Sequence, residues 1–556
     1  MTYKLVIIGG LAAGMKTAAK VKRENPDLSV TVYQEEASIS YARCGLPFYI
    51  SGKVGDINSL ILRTPSEMKE KSNIDVYTRH LVTAISPDKK EISIKNLETG
   101  NEFRTNYDKL VIATGTKPNI PDIPGVKSQN VFTLNTLEDA KAIKEAIKQA
   151  KKAAIIGAGF IGIELAEALI KSGIEVNLLS ESDHVLFSYD SDIAYHIENY
   201  LKQKGVKVYT KEKILRLENT EDNKVKSVIT KNSCIESDLV ILCKGTRPET
   251  EIARKAGIQI GSSGGIKVNP HLETSIKDIY AGGDCIEMPE IIYNLPVNFS
   301  SGSLANIHGR VIGENLTGKT TTFKGPLRTQ VMKIFDMTLA KTGLSEKEAC
   351  KASIDYVSVT VPGNDKAEYY PDSDKIIIKM LAEKTSHRII GLQIFGTGNV
   401  AKRIDTGTTA ITAGMTSEML GQTDLSYAPP YNGPIDVISH AANVMTNKLT
   451  GQMKSITPLE FKQLMDDKPD SFILIDIRPP EVFKSGHIKG SINIPLTKLD
   501  EKLPELDTSK EIIFNCNIGK TSYGAYRKLV NKGFYNARCL EGGTLSWIGE
   551  IETPTV

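Results

Sequence analysis

A short apolar strand that runs straight into a glycine-spaced turn is the most restrictive feature of this sequence. Ala153-Ala154-Ile155-Ile156 leads into Gly157-Ala158-Gly159-Phe160-Ile161-Gly162, and Ile163-Glu164 continues as a helix. Strand, tight turn and helix in that order let backbone N–H groups approach a pyrophosphate at a helix N-terminus. A looser copy stands near the start. Leu5-Val6-Ile7-Ile8 precedes Gly9-Gly10-Leu11-Ala12-Ala13-Gly14, with Leu11 at the middle glycine position. Two such units predict an α/β chain with two Rossmann-like dinucleotide-binding domains.

The residues after each following strand refine the ligands. Leu28 to Tyr33 ends in Gln34-Glu35-Glu36, so either Gln34 or Glu35 is placed to reach a ribose hydroxyl. Glu175 to Leu179 runs on to Glu181 with no arginine close by. An acid without a cation favours NADH, with NADPH as the alternative. Three more strand ends feed the same sites: Ala113-Thr114-Gly115, Gly245 after Leu239 to Cys243, and Gly283-Asp284 after Ile279-Tyr280-Ala281. Asp284 is placed to hold a polar sugar chain.

Between the first fingerprint and these strands lies Ser40-Tyr41-Ala42-Arg43-Cys44-Gly45-Leu46-Pro47. A thiol beside a cation, at the start of an apolar helix, is drawn toward the reactive thiolate. The competing reading is a buried, inert cysteine, and the adjacent fingerprint favours the reactive one. On the first helix, Lys16, Lys20 and Arg23 fall at i, i+4 and i+7 on one face. Such a face is usually just solvated, but it would suit a phosphate-bearing substrate.

The seven cysteines are scattered and the eight histidines form no ligating pattern, so no metal is expected. Reduced, scattered thiols and an opening that runs directly into a strand predict a cytoplasmic protein. A formal charge of +3 gives no reason to expect nucleic acid, and no apolar run approaches a membrane span. At 556 residues the chain should hold several domains.

Gly9 to Gly14, Ala113-Thr114-Gly115, Gly157 to Gly162 and Ala281-Gly282-Gly283-Asp284, in this order, resemble the two-dinucleotide flavoprotein disulfide reductases. The resemblance covers about residues 1–447. It implies an FAD domain in two parts (1–115 and 246–322), an inserted NAD(P)H domain (116–245) and an α+β dimerisation domain (323–447). FAD would use Gly9 to Gly14, Gln34 or Glu35, Arg43, Ala113, Thr114, Gly115, Gly283 and Asp284. NADH would use Gly157, Gly159, Phe160, Ile161, Gly162, Glu181 and Gly245. Ser40-x-x-x-Cys44-x-x-Pro47 resembles the motif of the single-cysteine branch, which includes coenzyme A-disulfide reductases and NADH oxidases. The oxidases carry a histidine in the first turn, where this chain has Leu11-Ala12-Ala13. Tyr369 and Tyr427 match tyrosines that in the coenzyme A reductases reach the active site from the other subunit of a homodimer. Interface packing alone would also account for aromatic residues there. Lys16, Lys20, Arg23, Ser40, Arg43 and roughly Lys71 match coenzyme A contacts. Coenzyme A would be a substrate or a tightly bound cofactor.

A linker is expected at 448–455 and a separate α/β unit at 456–556. Asp476-x-Arg478, Gly486-His487-Ile488, Asn493-Ile494-Pro495, Cys516 and Gly542-Gly543 to Trp547 together resemble a rhodanese domain. Its loop runs from Cys516 to Thr521 and ends without the usual arginine, which makes thiosulfate a poor donor. The combined expectation is an NADH- and FAD-dependent reductase of coenzyme A persulfide, polysulfide or disulfide. Cys44 reduces sulfur, Tyr427 and Tyr369 assist, and Cys516 delivers sulfane sulfur. The alternatives are a coenzyme A-disulfide reductase with an accessory rhodanese, a water-forming NADH oxidase, and a sulfurtransferase.

Overall fold

The computed structural model describes residues 3–507 and 509–553. The outer ends of the expected first and last domains, residues 1–2 and 554–556, lie outside them. The chain divides into two compact units. One runs to Asp183 and resumes over Lys202–Pro326; the other comprises His184–Leu201 and everything from Leu327.

The first unit is built on two parallel five-stranded sheets. The strand order of one is Ile279–Ala281, Lys109–Ile112, Lys4–Ile8, Ser29–Tyr33, Asp75–Tyr77. Lys4–Ile8 is central and covered on both faces, so Leu5, Val6 and Ile7 are fully buried. That is why this strand reads as an unbroken apolar run rather than an alternation. The other sheet orders Lys207–Tyr209, Glu175–Leu179, Lys152–Ile156, Leu239–Leu242, Val131–Thr133. The chain leaves the first sheet along Thr116–Pro118 and returns along Thr246–Pro248, paired antiparallel with the outgoing segment. Only then does Ile279–Ala281 complete the first sheet beside Lys109–Ile112. The helix Ala12–Glu24 packs closely on Gly302–Leu316, where a Cβ at Gly309 would lie 2.6 Å from the Ala13 carbonyl oxygen.

The second unit carries an antiparallel sheet ordered Gln330–Ile334, Met337–Gly343, Ile389–Gly396, Lys375–Glu383, Tyr356–Asn364. Its last parallel sheet orders Ser455–Ile456, Ala537–Leu540, Glu511–Asn515, Phe472–Asp476, Ile492–Asn493. The stretch expected as a linker is largely structured. Lys448 and Leu449 close the helix Val437–Leu449, and Ser455 already pairs with Cys539. Helical hydrogen bonds and the buried Met445 carry the helix through this polar stretch.

Candidate active site

The two glycine turns are constructed alike. At Gly9, φ is +107°, and a Cβ there would sit 2.1 Å from the Ala113 carbonyl oxygen. At Gly157, φ is +117°, and a Cβ would sit 2.1 Å from the Cys243 carbonyl oxygen. Gly14 and Gly162 each press on the preceding turn, with hypothetical Cβ contacts of 1.9 and 2.0 Å to the Gly9 and Gly157 oxygens. Only glycine lets strand, turn and helix approach this closely. Leu11 precedes the first helix with φ at −96°, so the missing middle glycine demands no left-handed residue.

The first turn opens into a cleft of about 1620 Å³ within the first unit. Gly9, Leu11, Ala12 and Ala13 line it, with Ala113, Thr114, Gly115, Gly283 and Asp284 at the neighbouring strand ends. Gln34 and Glu35 divide the roles left open between them. The Gln34 Oε1 accepts from the Gly10 N–H at 2.6 Å and so closes the turn itself. Glu35 is exposed at the strand end. Burial raises the Asp284 carboxyl, while the Ser301 N–H, donating to it at 3.2 Å, opposes the shift. His308 fixes the same corner: its Nδ1 accepts from the Gly283 N–H at 3.2 Å, and burial lowers its pKa to about 4. These features fit a flavin dinucleotide, because the cradle admits a pyrophosphate but no Cβ.

Cys44 is exposed in the short turn Arg43–Gly45 ahead of the helix Leu46–Ile50, and it is the one cysteine among the cleft-lining residues. Arg43 is not simply a partner for the thiol. Its NH2 group pairs with Glu36 at 3.1 Å, and Tyr41 donates to the same carboxylate at 2.6 Å. The Arg43 Nε is buried in the cleft wall without a protein partner. An orphaned guanidinium N–H there fits an anionic or carbonyl-bearing ligand.

The basic face splits. Lys16 and Arg23 line the cleft with Ser40. Lys20 does not; it binds Glu24 at 2.6 Å and Glu314 at 3.2 Å, because the close crossing at Gly313 lays its stem against the neighbouring helix. Lys71 also lies off the cleft, held by Glu67 one helical turn back at 3.0 Å. Arg63 lines the cleft and was missed from sequence. A bridge between Tyr41 and Ile61, with the Leu62 N–H donating to the Ser40 carbonyl, carries it there. No local pattern encodes such a pairing.

At the second turn, Gly159 caps the helix Phe160–Lys171, and Gly245 stands at φ +75° beyond the adjoining strand. Ile161 and Glu164, on the first turns of that helix, line the large cleft. Burial, with repulsion from Glu167, pushes the Glu164 carboxyl up to about 7. Glu181 does not stand alone: Lys244 pairs with it at 2.8 Å. A cation therefore stands beside the acid expected to select NADH.

In the second unit, Tyr369 and Tyr427 are 77% and 51% exposed. Partial desolvation, and then the neighbouring Tyr427 phenol, raise the Tyr369 pKa. Cys516 is buried at the C-terminal end of Glu511–Asn515, ahead of the helix Lys520–Asn531. Its carbonyl accepts from the Thr544 N–H at 2.9 Å, and Gly543 packs so closely that a Cβ would lie 2.1 Å from that oxygen. Asp476 and Arg478 are bound to each other at 2.7 Å, with Asn515 donating to the same carboxylate at 3.0 Å. They form a buried scaffold under the loop. Among the described residues no helix is long and apolar enough to cross a membrane.

Two glycine-turn nucleotide sites joined through an inserted sheet, with one cysteine in the first cleft, define a two-dinucleotide reductase. The chain belongs to the pyridine nucleotide-disulphide oxidoreductase family, matching it over residues 3–302 and its dimerisation domain over 329–436. Residues 457–550 match the rhodanese-like domain. The family's cofactors, FAD and NAD(P)H, are those of this chain. A curated NADH oxidase of Methanocaldococcus jannaschii is 35% identical over 453 residues, which is 81% of this chain and 100% of that one. An NAD(P)H sulfur oxidoreductase (CoA-dependent) of Pyrococcus furiosus is also 35% identical, over 80% of this chain and 99% of its own. The structure of an NAD-dependent persulfide reductase from A. fulgidus superposes with a TM-score of 0.92 and 39% identity. That match covers 98% of this chain and 100% of the other, rhodanese-like region included.

Proposed function

We propose that this protein is an NADH-dependent flavoprotein, active as a homodimer, that reduces coenzyme A persulfide or polysulfide, and coenzyme A disulfide, and releases sulfide. The observation that carries this reading is Cys44, exposed and without a second cysteine, in a cleft whose wall includes Lys16, Arg23 and Arg63. A lone thiol needs its disulfide or persulfide partner from the substrate, and the cations suit a phosphate-bearing thiol. FAD, in the Gly9 cleft with Arg43 and Asp284 at its wall, supplies two-electron transfer from NADH.

The Cys44 thiolate attacks the outer sulfur of the persulfide. The sulfur–sulfur bond breaks, and coenzyme A leaves as a thiolate that takes a proton from Tyr427 of the other subunit. Cys44 is left carrying the outer sulfur. Two electrons originating in NADH then free that sulfur as sulfide and restore the Cys44 thiolate. Cys516 supplies the sulfane sulfur upstream, taking it from a donor and passing it to coenzyme A. The first turn has no histidine, which is why the oxidase named among the relatives is not the preferred reading.

The test is Cys44→Ser in the FAD-loaded protein. NADH should still bleach the flavin, and persulfide-dependent turnover should stop. Full turnover in the variant would overturn the assignment.

A further inference from the structure

Arg403 is completely buried on the helix Val400–Thr412. One edge of its guanidinium holds the base of the loop 365–374, NH2 donating to the Asp365 carbonyl at 2.7 Å, while NH1 donates to the carbonyl of the helix cap Asn399 at 3.1 Å. The Asp365 carboxylate in turn accepts from Asp374 N–H at 2.9 Å and Asn399 N–H at 3.0 Å, closing that loop at its base. Tyr369 sits at its exposed tip. The adjoining edge of the same guanidinium holds the loop that ends at Asp436. NH2 donates to Asn432 Oδ1 at 3.1 Å and Nε to Asp436 Oδ1 at 3.2 Å. Asn432 passes the constraint on, donating from Nδ2 to the Ser426 carbonyl at 3.4 Å, one residue before Tyr427. Asp436 caps the helix Val437–Leu449 through the Ile438 N–H. Lys402, 3.6 Å from Asp436, touches neither tyrosine loop through a hydrogen bond of its own side chain.

We propose that Arg403 is the positioning residue of the tyrosine pair, fixing Tyr369 and Tyr427 against each other by binding both of their loops with one buried guanidinium. A buried arginine with several acceptors is geometrically rigid, whereas lysine cannot reproduce the fork. The inference rests on the reading that Tyr427 serves the reduction of sulfur.

The test uses full-length, FAD-loaded protein. Asn432→Ala removes the link to the Tyr427 loop while leaving Arg403 paired with Asp436, so it folds where truncating Arg403 would strand a buried carboxylate. Arg403→Lys is the second variant. Both should lower kcat for coenzyme A persulfide roughly 10- to 100-fold, with KM and the rate of flavin reduction by NADH unchanged. Asn432→Ala combined with Tyr427→Phe should be no slower than Tyr427→Phe alone. A 3-fluorotyrosine at position 369 should titrate at lower pH in Asn432→Ala, as it should in Tyr427→Phe, because the Tyr427 phenol that raises its pKa is displaced in the first and absent in the second. Wild-type kcat in both loop variants, additive losses in the double variant, or an unmoved fluorine titration would each overturn the proposal. If Tyr427→Phe alone turns over normally, the catalytic reading falls. The fluorine titration still decides whether Arg403 sets the pair.

Discussion

Lys448 donates to Glu541 at 2.6 Å, tying the last helix behind the antiparallel sheet to the strand end next to the Cys516 loop. Glu541 is 4% exposed and accepts two more hydrogen bonds, from the Thr360 N–H at 2.9 Å and the Ser455 hydroxyl at 2.6 Å. Removing a buried partner of this kind costs about 3–5 kcal/mol. Glu541→Ala should therefore split the calorimetric unfolding of the second unit, with the rhodanese-like part melting first. A single unchanged transition would show that the contact holds nothing.

The glycine turns separate the two nucleotide sites experimentally. At Gly9 and Gly157 an alanine meets backbone oxygen at a positive φ, with strain of about 1–3 kcal/mol. Gly9→Ala should retain roughly tenfold less flavin, read from the visible absorbance per chain. Gly157→Ala should stay yellow and instead be reduced slowly by NADH. The reverse assignment would exchange the two nucleotides.

Much of this was legible because it is local. The apolar strand with its glycine turn, and the Cys44 segment, are each written within about ten consecutive residues, and their backbone demands are strict. The basic face of the first helix was only half legible. Periodicity placed Lys16, Lys20 and Arg23 together, but a helical face does not say which neighbour packs on it. Gly313 and Glu314, some 290 residues away by number, take Lys20 out of the cleft. Arg63 arrives through a strand bridge, and Lys244 reaches Glu181 across the ends of two strands. Neither leaves any trace in the local sequence.

That division predicts unequal lysines. Lys16→Gln should raise KM for coenzyme A substrates roughly tenfold, the worth of one charged hydrogen bond. Lys20→Gln should leave KM alone and lower the melting temperature, because Glu314, now held at about 2 by its partners, loses one of them. Steady-state kinetics with thermal unfolding on both variants checks this. Equal effects on KM would return Lys20 to the substrate.

Glu164 sets a pH dependence. Its folded-state pKa, about 7, lies above the ordinary 4.5, so the folded protein holds this proton more tightly than the unfolded chain does. Stability from this group is fully present below about 4.5 and is lost as pH rises toward 7, by about 3 kcal/mol at most. Glu164→Gln should raise the melting temperature at pH values above 7, with the gain shrinking as pH falls toward 5. A gain independent of pH would contradict the assignment.

The central claim is tested most directly by anaerobic NADH oxidation with a parallel sulfide assay, comparing coenzyme A persulfide with coenzyme A disulfide. The account predicts one sulfide per NADH and a much higher kcat/KM for the persulfide. A clear preference for the disulfide, with little sulfide released, would contradict it and leave a thiol-redox enzyme carrying an accessory domain.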